Sequence, residues 1–169
     1  MADSSFSEAL KEAFAVCRAD EVIYSTLELN HTSFTQPIYV VNDRAPLTVP
    51  LETGTTVTFV AFSFDLILPE VTADSVPMME IKLDNISRDI LTQVKLAMGS
   101  TSKIAAIHRF YSSRDLSGPQ NDPPLEADLL KIRADVFRIT AGAGFYNVTN
   151  KRFPFTEYDL QTFPGLMGL

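Results

Sequence analysis

Residues 55–69 read TTVTFVAFSFDLILP, and how this run is parsed decides the fold. Val57, Phe59 and Ala61 alternate with Thr56, Thr58 and Val60, which is the two-residue period of a half-buried strand. From there the apolar series passes to Phe62, Phe64, Leu66 and Leu68. Successive side chains on a strand point to opposite faces, so a slip of one residue turns the buried set over. The run therefore predicts a strand broken by a β-bulge or by a bend between two sheets, and Pro69 ends it. A chain organised around such a run is mainly β.

Working back toward the start, Gly54 marks a turn and Leu47–Leu51 a short strand, with Pro46 and Pro50 giving it the character of an edge. Ile38–Val41 is another strand, closed by Asn42-Asp43. Glu21–Asn30 alternates, with Ile23, Ser25, Leu27 and Leu29 on one face and Val22, Tyr24, Thr26 and Glu28 on the other. His31-Thr32-Ser33 breaks it. A helix is predicted over about 5–18, with Ser5 and Glu8 as a capping box and Phe6, Leu10, Ala13, Phe14 and Cys17 as one apolar stripe. Cys17 reads as a small buried hydrophobe.

Working forward, Met79, Ile81 and Leu83 alternate with Glu80, Lys82 and Asp84 in a strand. A second helix is capped by Asn85 or Ser87, stopped by Gly99, and faced by Ile86, Ile90, Leu91, Val94, Ala97 and Met98. Lys103–Tyr111 is a strand. Residues 112–128 hold Ser, Gly, Asn, Asp and three prolines and form a Pro-rich loop or arm. Leu129–Thr140 is a strand with Leu130, Ile132, Ala134 and Val136 on one face. Ala141–Gly144 is a turn, and Phe145–Thr149 returns as a hairpin partner. Residues 151–169 have neither period and form an apolar, aromatic C-terminal arm. The expectation is one domain over residues 1–169, of α+β class and mainly β. It is a β-sandwich or partly closed β-barrel of about seven to nine strands with two flanking helices.

Charge and composition narrow the function. The chain has 169 residues, net charge -7 and 46% hydrophobic residues, enough to bury roughly 70% of its unfolded surface. With a sequence pI near 4.7 it repels polyanions and anionic lipid, and Lys11, Arg18, Lys103, Arg109, Lys131 and Arg133 form no basic run. Direct nucleic-acid recognition and a membrane partner are therefore not expected. One cysteine gives no intrachain disulfide and no thiolate cluster. The first residues, Met1-Ala2-Asp3-Ser4-Ser5, lack the basic and apolar regions of a secretion signal, so Asn147-Val148-Thr149 is read as a chance match to a glycosylation acceptor.

No catalytic constellation is legible, and the expectation is a protein that is not an enzyme and carries no cofactor or metal. His108 is in phase with Ile104, Ala106 and Phe110 and reads as a sheet histidine; His31 reads as a turn residue. Neither has a partner at ligand spacing. Glu52, Asp65, Glu70, Glu80 and Asp84 are candidate paired carboxylates by residue type alone, and solvated strand faces account for them. No glycine pattern makes a phosphate loop or a nucleophile elbow. The arm is the more informative segment. Phe155, Tyr158, Leu160, Phe163, Pro164, Leu166 and Met167 are the candidate subunit interface, since apolar aromatic segments anchor interfaces. The competing reading has the arm packed over its own core.

Several of these runs resemble a family of small minor tail or tail-tip proteins, described as a domain of unknown function, from long non-contractile-tailed bacteriophages. The similar runs are Leu27–His31 with Phe34, Pro37–Asp43, Phe62–Pro69, Ile81–Arg88, Arg152–Tyr158 and Phe163–Leu166. Together they span Leu27–Met167. The resemblance implies a distal-tail-like virion component of the tail tip or baseplate, made in the host bacterial cytoplasm. Such a subunit forms a homo-oligomeric ring, hexamer or trimer, between the tail tube and hub or fibre proteins, with the tape measure as a further neighbour. The alternatives are a carbohydrate- or receptor-binding module, and after it a tail assembly chaperone or a cell-wall hydrolase.

Overall fold

The structure, a computed structural model, describes residues 6–16, 20–67, 78–84, 88–100, 102–135 and 138–144. In chain order the described elements are α1 (Glu8–Val16), β1 (Ile23–Asn30), β2 (Ile38–Val41), β3 (Leu47–Pro50), β4 (Thr56–Ala61), β5 (Phe64–Ile67) and β6 (Met78–Asp84). They continue with α2 (Arg88–Met98), β7 (Ile104–Ser112), β8 (Leu125–Ala134) and β9 (Arg138–Gly144). The strands form one sheet in the order β3-β4-β2-β1-β7-β8-β9-β6-β5. Its neighbours run antiparallel except β2 and β4, which are parallel. The fold is thus α+β and mainly β, with one large mixed sheet that does not close into a barrel.

The run 55–69 explains how that sheet is bent. Phe62 and Ser63 lie outside the strands, and the halves on either side go to opposite ends of the sheet: β4 stands second in the order and β5 last. Ala61 and Phe64 are three residues apart, so their Cα atoms lie within about 11 Å however the chain turns. The sheet must therefore curl until its two ends are neighbours, although no ladder of hydrogen bonds joins β4 to β5 among the described residues. The phase slip is the physical mark of this division. Phe59 and Phe64, from the two halves, are 0% and 2% exposed and belong to different cores.

Those two cores lie on the two faces of β1 and β7. Leu27, Leu29, Ile104 and Ala106 face the larger one, with Val40, Phe64, Ile81, Leu129, Ile139 and Ala141, and α2 covers it through Val94 and Ala97. The other face of the same strands carries Tyr24, Glu28, Arg109 and Tyr111. The β3–β4 hairpin lies over it, closing a smaller core of Val41, Val49, Phe59 and Tyr111. The rings of Tyr39 and Tyr111 meet Phe59 at centroid distances of 5.4 and 6.1 Å.

The structure departs from the sequence reading in four places. The α1 cap is Ser7, whose Oγ accepts a hydrogen bond from the Leu10 amide at 3.1 Å; the expected capping residue, Ser5, and Cys17 lie outside the described residues. The span expected to be one strand, a turn and a return strand divides differently. β8 begins at Leu125 and β9 occupies the expected turn Ala141–Gly144. Alternation of Ala and Gly looks like a turn by composition, but Ala141 and Ala143 are buried in the larger core. The third departure is a bulge in β8: Leu129 pairs with Ala143 and Lys131 with Gly142, leaving Leu130 as the extra residue. Leu129 thereby takes the buried position expected of Leu130, which is 48% exposed. The fourth is the exposure of two residues expected on apolar helix faces: Met98 of α2 is 45% exposed and Phe14 of α1 is 52% exposed.

Candidate functional site

The seven residues singled out as a subunit interface (Phe155, Tyr158, Leu160, Phe163, Pro164, Leu166 and Met167) lie outside the described residues, as does Glu70. The remaining polar candidates do not converge on one place. Asp84 pairs with Arg138 across β6 and β9, Glu80 with Lys82 along β6 at 3.4 Å, and Asp65 is exposed on β5. Among the described residues, no group of three His, Cys, Asp or Glu side chains is placed to hold a metal ion, and no helix is long and apolar enough to cross a membrane.

His108 is built into the sheet and His31 into the turn that follows β1. His31 Nδ1 accepts the Ser33 amide at 3.0 Å, so Nε2 carries the proton and donates to the Ser102 carbonyl at 3.2 Å. The ring thus ties the turn after β1 to the start of β7. His108 is 1% exposed, in the predicted phase of β7. Its Nε2 meets Ser25 Oγ at 2.7 Å, and the ring of Phe110 packs edge-on at 4.5 Å. Nδ1 is buried without a hydrogen-bond partner. Burial, with the Arg109 charge adding to it, pushes the His108 pKa down to about 4. Among the described residues no carboxylate hydrogen-bonds the His108 ring, the contact that would orient it as a general base for Ser25.

On the opposite face of β7 lies an ion network that the sequence reading did not find. Arg109 Nη1 donates to Glu28 Oε2 and its Nε to Glu52 Oε1, both at 2.7 Å. Glu28 and Arg109 are 6% and 4% exposed. Burial opposes the guanidinium charge, but the hydrogen bonds to Glu52 and Glu28 outweigh it and hold the pKa above its ordinary value. Glu52 sits in the turn of the β3–β4 hairpin, so the network bolts the hairpin to the sheet. Tyr111 adds a second tie, its hydroxyl donating to the Pro50 carbonyl at 3.0 Å, and burial pushes its pKa up to about 12. The signal in the sequence was a charge inside each of two strands, Glu28 between Leu27 and Leu29 and Arg109 between His108 and Phe110. These charges fasten the hairpin to the sheet.

The Pro-rich segment also packs on its own domain. Asn121 Oδ1 accepts the Phe110 amide at 2.9 Å and its Nδ2 donates to the His108 carbonyl at 3.1 Å. The Gln120 carbonyl accepts the Ser7 amide at 2.9 Å, so the loop is held between β7 and the start of α1. Residues 113–124 are a fastened loop; of the two readings offered for 112–128, loop or arm, the contacts fit the loop.

Among the described residues there is a cleft of about 390 Å³ between the C-terminal end of α2 and β8. Ala97, Ile104 and Leu129 form its floor, Met98 and Leu130 its apolar rim, and Lys103 and Lys131 its charged rim. Its chemistry is that of a contact surface: half-exposed apolar side chains flanked by cations.

Residues 9–158 match a family described as "Domain of unknown function (DUF1833)". No curated protein matches the chain.

Proposed function

The chain belongs to the DUF1833 family of domains of unknown function, and from that premise we propose that it is a structural subunit of a bacteriophage tail tip, assembling with copies of itself into a ring between the tail tube and the hub or fibre proteins. Its work is contact with other proteins, without catalysis and without a cofactor. The observation that carries this reading is the open cleft beside α2, where Met98 and Leu130 are 45% and 48% exposed. A surface of this kind gains free energy when a partner removes it from water, at about 25 cal/mol per Å² of apolar area. The buried charges support the same reading, because they are used in holding the β3–β4 hairpin to the sheet.

The sequence resemblance to tail-tip proteins supports the tailed-phage setting, and the apolar arm at 151–169 supports assembly. Ring contacts are heterologous: one surface of a subunit meets a different surface of the next, and rotation closes the set. A cleft on one side and an apolar segment elsewhere in the chain satisfy that requirement. The net charge of -7 suits a subunit lining a passage for DNA, because it gives the nucleic acid nothing to bind. Mass spectrometry of purified tailed particles tests the setting. Peptides of this chain in stoichiometric amount with other tail proteins are expected. Their absence from finished particles, with the chain abundant in the lysate, would point to an assembly chaperone.

A further inference from the structure

We infer that the cleft between α2 and β8 is the seat of residues 155–160 from a second copy of this chain, an assignment that rests on the ring-subunit reading and specifies its contact. The cleft and the segment match in three respects. The first is size: about 390 Å³ lies at the small end of the roughly 300–1,000 Å³ of ligand pockets, room for a few side chains rather than a folded domain. The second is polarity. The floor and part of the rim are apolar, and the segment FTEYDL offers Phe155, Tyr158 and Leu160.

The third is charge. In a chain of net charge -7 the rim carries Lys103 and Lys131, and the segment carries Glu157 and Asp159 among its apolar residues. Lys103 is already drawn toward one carboxylate, Asp128, at 3.3 Å, and both ends of that pair are well exposed. Lys131 is exposed beside it. An acidic, aromatic peptide is what such a rim selects.

The cleft is also shaped for an occupant by the backbone. The bulge in β8 turns Leu130 out of the core, and its Cδ1 lies 2.6 Å from where a Cβ on Gly144 would stand. A glycine at that point is what lets Leu130 lie across β9 and extend the apolar rim. Bulges that re-aim a side chain recur at functional surfaces. The occupant is assigned to another copy because a ring needs a contact in which one surface of a subunit meets a different surface of the next.

Disulfide trapping tests this in the full chain. Two variants are made on a Cys17→Ala background, one with Leu130→Cys, at a position 48% exposed, and one with Tyr158→Cys. They are mixed, oxidised, run on a non-reducing gel and weighed in solution by light scattering. A disulfide-linked dimer of the two different variants is expected, and it should weaken several-fold when Lys131→Glu is added and recover when Glu157→Lys and Asp159→Lys accompany it. Trapping only when both cysteines are in one chain would overturn the second-copy assignment. No trapping, in a sample that still weighs several subunits, would overturn the cleft as the seat and leave the ring. A lone subunit with no trapping would overturn both.

Discussion

His108 illustrates how a single side chain links the sheet to solution conditions. Its pKa falls from 6.5 when unfolded to about 4 when folded, because burial penalises the imidazolium. Below pH 6.5 the unfolded chain takes up a proton that the folded chain refuses. The stability that His108 contributes is therefore fully present above about pH 6.5, is lost as the pH drops toward 4, and changes no further below that. The whole effect is on the order of 3 kcal/mol, at 1.36 kcal/mol per unit. Urea midpoints measured across that window should follow this slope, and His108→Leu should flatten it. Arg109 works on the opposite face. Arg109→Leu leaves Glu28 buried without its partner and should cost about 3–5 kcal/mol, read from denaturant unfolding. A loss below about 1 kcal/mol would mean that water reaches Glu28. The place of His108 on β7 was legible, because phase along a strand gives the face. The Arg109 network was not: period two tells which side chains share a face but not which distant hairpin covers it.

Among elements, the divided run at β4 and β5 is where sequence and structure agree most fully. The slip after Ala61 predicted a bulge or a bend, and the chain bends there so that Phe59 and Phe64 serve separate cores. Phe64→Ala and Phe59→Ala should each cost about 3–5 kcal/mol, and their costs should add, since the two side chains share no core. Strong non-additivity in the double variant would mean that the two cores act as one. Ser7→Ala removes the α1 cap and should cost about 1 kcal/mol. Elements rich in small residues were the least legible. Ala141–Gly144 reads as a turn because Ala and Gly have weak strand preference, yet pairing with β6 and β8 makes it strand and buries Ala141 and Ala143. The bulge at Leu130 was hidden for a related reason, since one extra residue leaves the local alternation plausible in either phase.

For the whole molecule, the fold class was legible from strand periodicity and two helical stripes, while the curl of the sheet needed long-range pairing that no local pattern encodes. The functional reading rests on how the molecule divides its polar and apolar groups. Ion pairs and buried rings hold strands and hairpin together, and two exposed apolar side chains, Met98 and Leu130, meet at the cleft beside α2. If that cleft meets a partner copy through Lys103 and Lys131, assembly should weaken as ionic strength rises, because the Debye length shrinks from about 10 Å at 0.1 M to 3 Å at 1 M. The most direct test is the mass in solution of the full chain beside a variant lacking residues 155–169, both measured by light scattering. A discrete multiple of 18.7 kDa for the full chain, and a folded single subunit for the truncated one, is the predicted result. A full chain that stays at 18.7 kDa at every concentration tested would contradict the account.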